Sequence, residues 1–257
     1  MSDRTREYAV VERHRTLQPS YYELRLRAPV IAGRSRPGQF VFIRVGEGFD
    51  PLLRRPISIC DADAVAGTIT LLYQAVGRGT DWLSHVPEGA QLDLMGPIGT
   101  PFPVEGPRAV LVAGGLGIAP LALLTRQLRE AGIPVDVYYG ARDEAHLFCR
   151  DELVECAALH TAAESLGQTV LDILPERLAR ETTVYACGPL ALLAAVQDWA
   201  SRSGCGGGYV SLEERMACGI GACSGCGFPM NSGRRRLFKK VCVDGPVFPL
   251  EEVAFDG

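Results

Sequence analysis

Cys218, Cys223, Cys226 and Cys242 stand at the spacing C-x4-C-x2-C-x15-C, inside the run Cys218-Gly-Ile-Gly-Ala-Cys-Ser-Gly-Cys226. The first three positions have the intervals of plant-type [2Fe-2S] ligands. Four thiolates neutralise iron charge. Gly219, Gly221 and Gly225 let the backbone wrap closely and aim N–H groups at bound sulfide, as in other anion-binding nests. A tetrahedral structural zinc site and a set of unligated thiols are the competing readings. Zinc usually takes two C-x2-C knuckles, whereas here the fourth cysteine stands alone.

A second group of residues could hold a flavin. Arg54-Arg55-Pro56-Ile57-Ser58 is followed by Leu72-Tyr73-Gln74 and then Gly77-Arg78-Gly79-Thr80. Each alone reads as an ordinary barrel strand or turn, but in this order they resemble the FAD-binding elements of the ferredoxin-reductase superfamily. An Arg55 fork can pair with a pyrophosphate, a Ser58 hydroxyl can reach a flavin ring, and Gly79-Thr80 at a helix start can offer N–H groups to phosphate. The resemblance extends the candidate site to Pro56, Ile57, Leu72, Tyr73 and Gln74, although relatives often have Arg where Gln74 stands.

Gly114-Gly115-Leu116-Gly117-Ile118-Ala119-Pro120 also resembles that superfamily. Gly114, Gly115 and Gly117 lie between a strand and a helix, where they permit close approach of a dinucleotide pyrophosphate. The run is not the G-x-G-x-x-G fingerprint, and a structural tight turn is the plainer alternative. Cys187-Gly188-Pro189 resembles the second, nicotinamide-side motif of the superfamily, with a buried structural thiol as its alternative. Asp143 after Arg142 could disfavour a 2′-phosphate, Arg142 could attract one, and Asp143 could equally cap a helix.

These residues need three kinds of scaffold. Residues 5–103 alternate apolar and polar positions in short runs broken by Gly and Pro, which predicts a small antiparallel β-barrel with one helix over Thr80–Val86, capped by Thr80 or Asp81. From Pro107 the pattern turns to strand, Gly-rich turn, helix. It predicts strands at Arg108–Ala113, Ile133–Tyr139 and Thr182–Ala186, and helices at Pro120–Ala131, Glu144–Cys156, Thr169–Leu178 and Leu190–Ser203, the grammar of a parallel α/β sheet. Beyond Gly204 periodicity is lost, implying a segment ordered by a ligand rather than by its own core. The expected fold is α+β and multidomain: an FAD barrel over 1–104, an α/β NAD domain over 105–204 and an iron–sulfur subdomain over 205–257.

The chain has 257 residues and 47% hydrophobic content, enough to pack two domains and an appendage. A net charge of −4 gives no support to nucleic-acid binding. The one basic run, Arg234-Arg235-Arg236 with Lys239-Lys240, reads as a solvated turn or as a patch that steers a partner to a redox centre. The N-terminus, charged at Asp3, Arg4, Arg6 and Glu7, lacks the apolar core of a secretory signal, and no run approaches the ~18 apolar residues of a membrane span. A cytoplasmic protein without a membrane partner is expected. Nine cysteines in such a compartment point to metal or redox chemistry; Cys60, Cys149, Cys156, Cys187 and Cys205 lie outside the cluster, scattered, and mostly read as small buried hydrophobes. His14, His85, His146 and His160 are scattered and receive no catalytic role.

The order of barrel, nucleotide domain and cysteine segment covers nearly the whole chain. With Ser211-Leu-Glu-Glu-Arg-Met-Ala-Cys218 and Cys242-Val-Asp-Gly-Pro-Val247, it resembles the electron-transfer subunits of type 1B dihydroorotate dehydrogenases. A plain ferredoxin domain would have a longer fourth interval. The resemblance implies FAD, a [2Fe-2S] cluster and NAD as co-substrate. It also implies a partner, an FMN-containing catalytic subunit that oxidises dihydroorotate and sends electrons singly to this chain, two of each subunit forming a heterotetramer. The same modules occur in diaphorase-like subunits of hydrogenases, sulfide dehydrogenases and bifurcating transhydrogenases. A zinc-stabilised binding module would leave the Arg55–Ser58 and Gly114–Pro120 elements without a purpose.

Overall fold

The computed structural model describes residues 5–46, 48, 50–231 and 237–255; the Arg234-Arg235-Arg236 run lies outside them. Six strands, β1 (Thr5–Gln18), β2 (Tyr21–Arg27), β3 (Phe40–Ile43), β4 (Arg55–Asp63), β5 (Thr68–Gln74) and β6 (Gln91–Ile98), close in the order β1-β2-β5-β4-β3-β6, all antiparallel. Closure leaves no unpaired barrel edge. Alternation along β4 and β5 sends Ile57, Ile59, Ile69, Leu71 and Tyr73 into the barrel core, while Cys60 and Leu72 join a separate cluster outside it. Each such Ile or Leu contributes about 1.5–3 kcal/mol by leaving water. A short helix α1 (Pro29–Ala32) starts on Pro29, and the Glu7 carboxylate accepts the N–H groups of Val30 and Ile31 at 3.1 and 2.9 Å.

Helix α2 (Arg78–Ser84) begins two residues before the expected Thr80, with Gly77 as its N-cap. Thr80 is not the cap. It occupies the third helical position and its hydroxyl oxygen accepts the N–H groups of Val76 and Gly77 at 3.0 and 3.2 Å, which fixes the approach to the helix. Leu83 anchors α2 to the barrel core.

The second layer is a sheet of β7 (Arg108–Gly114), β8 (Val135–Ala141), β9 (Ala158–Ala163), β10 (Thr182–Cys187), β11 (Gly207–Ser211) and β14 (Val247–Pro249), ordered β14-β11-β10-β7-β8-β9. Only β14 runs antiparallel. Helices α3 (Ala119–Glu130), α4 (Arg150–Cys156) and α5 (Leu190–Ser203) connect the strands, and β12 (Gly227–Met230) and β13 (Leu237–Lys240) form a hairpin.

Two expected helices form only in part. Over Glu144–Cys156 a single 3-10 turn, Glu144–His146, precedes α4. The buried Tyr139 hydroxyl donates to His146 O and accepts Phe148 N–H, both at 3.1 Å, holding a turn at residues 147–149 that breaks the expected helix in two. Over Thr169–Leu178 only the 3-10 turn Val170–Ile173 forms; Asp172 caps it through Thr169, and Pro175 bars continuation. Strand β9 was not anticipated, since its sequence is only weakly alternating. The C-terminal segment also departs from expectation. Cys226, Phe228, Met230, Val241 and Cys242 are buried in one core with Phe40 and Phe42 of the barrel and Val112 and Val184 of the sheet.

Candidate functional site

Along β4 and β5, residues not committed to the barrel core face the sheet domain. Between the two layers lies a cavity of about 920 Å³, walled by Arg55–Ser58, Leu72–Gln74, Gly77 and Thr80 from the barrel side and by Leu116 and Ala119 from the other. That volume is at the upper end of ligand pockets, about 300–1,000 Å³. The third wall is Ser211–Met216, the leader into the cysteine loop. The sequence placed Leu116 and Ala119 in the nucleotide-binding run and Ser211–Met216 in the approach to the cysteines, not in the wall of the flavin cavity. Glu213 is exposed on the cavity wall, and partial desolvation by the surrounding atoms shifts its carboxyl pKa upward.

The adjacent arginines differ in use. Arg54 is a brace: it donates to Asp93 Oδ2 at 2.7 Å and to the carbonyls of Asp93 and Phe42 at 2.8 and 3.3 Å. Arg55 lies across the first turn of α2, so close that a Cβ on the buried Gly79 would sit 2.4–2.6 Å from its Nε, Cζ and Nη2 atoms. Only glycine permits this overlap of a guanidinium with a helix start. The result is a cationic cradle suited to a pyrophosphate. Of the other predicted residues, Ile57 and Tyr73 serve chiefly the barrel core, the Tyr73 hydroxyl pairing with His14 Nε2 at 2.8 Å. Thr80 spends its hydroxyl on the α2 cap and keeps only its position on the wall.

The sheet supplies the second half of the site. Strand order reverses between β7 and β10, and the loops leaving their carboxyl ends are Gly114–Gly117 and Cys187–Pro189. Such a reversal opens a crevice where dinucleotides bind. The loops touch: a Cβ on Gly117 would lie 2.2 Å from the Cys187 carbonyl oxygen, and one on Gly114 2.6 Å from the Leu192 side chain. Gly115 adopts φ 54°, a left-handed conformation that favours glycine. Cys187 is fully buried, and burial pushes its thiol pKa up, so its backbone rather than its sulfur borders the crevice. At the end of β8, Asp143 accepts from His146 Nδ1 at 2.6 Å and pairs with Arg142 at 3.5 Å; it caps the following turn.

In the cysteine loop, amides point at sulfur. Ile220 and Cys223 N–H groups donate to Cys218 Sγ at 3.5 and 3.4 Å, and Gly225 N–H to Cys223 Sγ at 3.4 Å. Positive φ at Gly219, Gly221 and Ser224 turns the amides inward. These bonds draw the Cys218 pKa down to about 6. Cys242 moves the other way, to about 11, because it is buried beside Cys226. The thiols thus fall into adjoining pairs, Cys218 with Cys223 and Cys226 with Cys242. Four thiols with backbone amides aimed at their sulfurs form a donor set that fits an iron–sulfur centre. Lys240 Nζ donates to Gly221 O at 2.7 Å, and the Phe42 ring lies where a Cβ on Gly219 would be, 2.9 Å away, so the loop is clamped between hairpin and barrel.

A second cleft, about 1000 Å³, opens on the other side of α2 between Arg44, Asp50, Arg78, Asp81 and His85, and contains none of the predicted site residues.

Residues 213–254 match the family described as the iron–sulfur cluster binding domain of dihydroorotate dehydrogenase B, and residues 111–198 the oxidoreductase NAD-binding domain. A dihydroorotate dehydrogenase B (NAD(+)) electron transfer subunit from Bacillus caldolyticus is 38% identical over 256 residues, covering 96% of this chain and 98% of that protein. Its counterpart in Bacillus cereus (strain Q1) is 38% identical over 95% of this chain and 96% of its own length. Among solved structures, one of an NADH-dependent reduced ferredoxin-NADP oxidoreductase, described in work on flavin-based electron bifurcation, superposes with a TM-score of 0.84 at 29% identity, covering 97% of this chain and 91% of that one.

Proposed function

The chain belongs to the family of dihydroorotate dehydrogenase B electron transfer subunits, and we propose that it moves electrons from a catalytic partner to NAD through the cavity between its barrel and its sheet. One observation carries this reading: a single cavity is walled at once by the Arg55–Ser58 strand, by the Gly-rich β7–α3 connection and by the leader into the four cysteines. FAD held in the cavity would supply two-electron hydride exchange, and a [2Fe-2S] cluster on the four thiolates one-electron exchange.

The chain's own groups divide the work. Arg55 and the first turn of α2 counter pyrophosphate charge, and Pro56, Ser58, Leu72 and Gln74 make the bed beside it. Gly114, Gly115, Gly117 and the Cys187–Pro189 backbone admit a nicotinamide dinucleotide at the strand-order reversal, with Leu116 and Ala119 bringing that loop to the cavity. Cys218, Cys223, Cys226 and Cys242 hold the iron. The modules run over 1–104, 105–204 and 205–257, with β11 and β14 tying the third to the sheet of the second. The proposed partner is an FMN-containing subunit that oxidises dihydroorotate for pyrimidine biosynthesis, two of each forming a cytoplasmic heterotetramer. Among the described residues no helix is long and apolar enough to cross a membrane.

The likeness to the ferredoxin-NADP oxidoreductase structure favours a second reading, in which the same redox module serves a bifurcating or diaphorase-type partner. The test is to purify the chain anaerobically, mix it with the FMN-dependent dihydroorotate dehydrogenase of the same organism, and follow dihydroorotate-dependent NAD reduction. NADH formation only in the mixture supports the first reading. No NADH formation, with NADH still bleaching the absorbance of this chain alone, supports the second. Absence of iron and of bleaching overturns both.

A further inference from the structure

Two cysteines that the electron path does not use meet across the boundary between barrel and sheet. Cys60 Sγ and Cys149 Sγ are 3.6 Å apart, joining residues separated by 89 positions. Cys60 is the extra residue in β4 where the β4–β5 register shifts between Ile59↔Leu71 and Asp61↔Thr70. Such a bulge re-aims a side chain, and here Cys60 packs outside the barrel core with Leu72, Ala119 and Phe148. Cys149 has φ 56° and ψ 21°, a left-handed conformation uncommon outside glycine, at the break just before α4. Local strain of this kind costs about 1–3 kcal/mol and concentrates at functional positions.

The two sulfurs differ in access. Cys60 is 3% exposed, whereas Cys149 is half-buried and lines a cleft of about 250 Å³ with charges of both signs, Arg15 and Arg150 together with Glu23, Asp151 and Glu152. A peroxide, little larger than water, fits such a cleft. The sulfurs, 3.6 Å apart, must close to about 2.05 Å to bond.

We propose that Cys60 and Cys149 form a reversible oxidation site that takes a peroxide, Cys149 as the attacking thiol and Cys60 as the resolving one. The Cys149 sulfur attacks one peroxide oxygen, the O–O bond breaks, and a sulfenic acid and one water result. The Cys60 sulfur then attacks Cys149; an S–S bond forms, the S–O bond breaks, and a second water leaves with the Cys60 proton. Two thiols lose two electrons and the peroxide gains them. The order follows from access, and it agrees with Cys60 holding its proton through its hydrogen bond to Cys149 and its burial. The bond would tie β4 to the approach to α4 behind Leu72 and Ala119, which also line the cofactor cavity.

The test treats the holo-chain, flavin and cluster in place, with hydrogen peroxide in small excess, then alkylates, digests and maps it by mass spectrometry. The expected product is a linked Cys60–Cys149 peptide that disappears with dithiothreitol. In Cys60→Ala, Cys149 should proceed to sulfinic acid; in Cys149→Ala, Cys60 should remain alkylatable. Cys60 and Cys149 both staying free while Cys156 or Cys205 oxidises would overturn the proposal. So would a linked peptide that forms only after the visible absorbance of the cofactors has been lost, since that places the linkage in damaged protein.

Discussion

Gly79→Ala isolates the cradle. The new Cβ would lie 2.4–2.6 Å from the Arg55 guanidinium, and no backbone atom lies within the same range. The guanidinium is the end of a flexible side chain, so it swings away and the fold survives. Removing glycine from a helix is itself worth about 0.8–1 kcal/mol of added stability, which offsets part of the lost packing, so thermal stability of the flavin-free chain should change little. FAD binding should change much. Charge-assisted hydrogen bonds are worth about 1.5–3 kcal/mol, so displacing Arg55 should weaken FAD by roughly ten- to a hundred-fold, at about 1.4 kcal/mol per decade. Fluorescence titration of FAD into flavin-stripped protein measures the loss, while iron content should stay at the parent value. Arg55→Ala should reproduce the effect, and the double substitution should be no weaker than Arg55→Ala alone, because the alanine at position 79 acts only through Arg55. Unchanged FAD affinity in Gly79→Ala, or losses that add in the double variant, would refute this assignment of the cradle.

Other substitutions probe the remaining parts. Cys223→Ser, at an exposed position, should remove the cluster's electron paramagnetic resonance signal and most bound iron while leaving FAD binding and NADH-driven flavin reduction in place. Gly117→Ala drives a Cβ into the Cys187 carbonyl, which cannot yield cheaply; it should destabilise the sheet domain by about 1–3 kcal/mol and abolish NADH binding, read by denaturant melts and NADH titration. Asp93 is pulled toward a higher pKa by burial, but the Arg6 and Arg54 hydrogen bonds prevail and hold it below its ordinary value. Its stabilisation is therefore fully present above the unfolded value of about 3.9 and is lost as pH falls through the lower folded value. Asp93→Asn should cost about 3 kcal/mol at neutral pH and flatten the acid side of a stability-versus-pH curve measured by urea melts.

What the sequence disclosed follows how far apart the determining groups lie. The four-cysteine candidate stood out because three of its members occupy one nine-residue run whose glycines announce the turn. Helix α5 was legible to the residue, ended by Gly204 in a left-handed conformation. The segment after β8 was not, because its conformation is set by the Tyr139 hydroxyl, a buried polar contact outside any amphipathic pattern. Arg55 was already the candidate in the sequence; what the sequence could not show is that its neighbour Arg54 is held by Asp93 on β6, a contact between residues 39 positions apart. The cavity walls at Leu116, Ala119 and Ser211–Met216 exist only once strand order sets β7 beside β10 and β10 beside β11. The meeting of Cys60 with Cys149 arises instead where the outside of the barrel packs against the sheet domain.

Strand β14 pairs with β11 so that Val247 faces Ser211, and the whole cysteine segment hangs from that neck. The strands that enter and leave the segment are held side by side in the sheet, so the loop bearing the four thiols is closed at its base by backbone pairing alone. Whatever loosens that pairing loosens all four thiols together, while the barrel, closed on itself, is untouched.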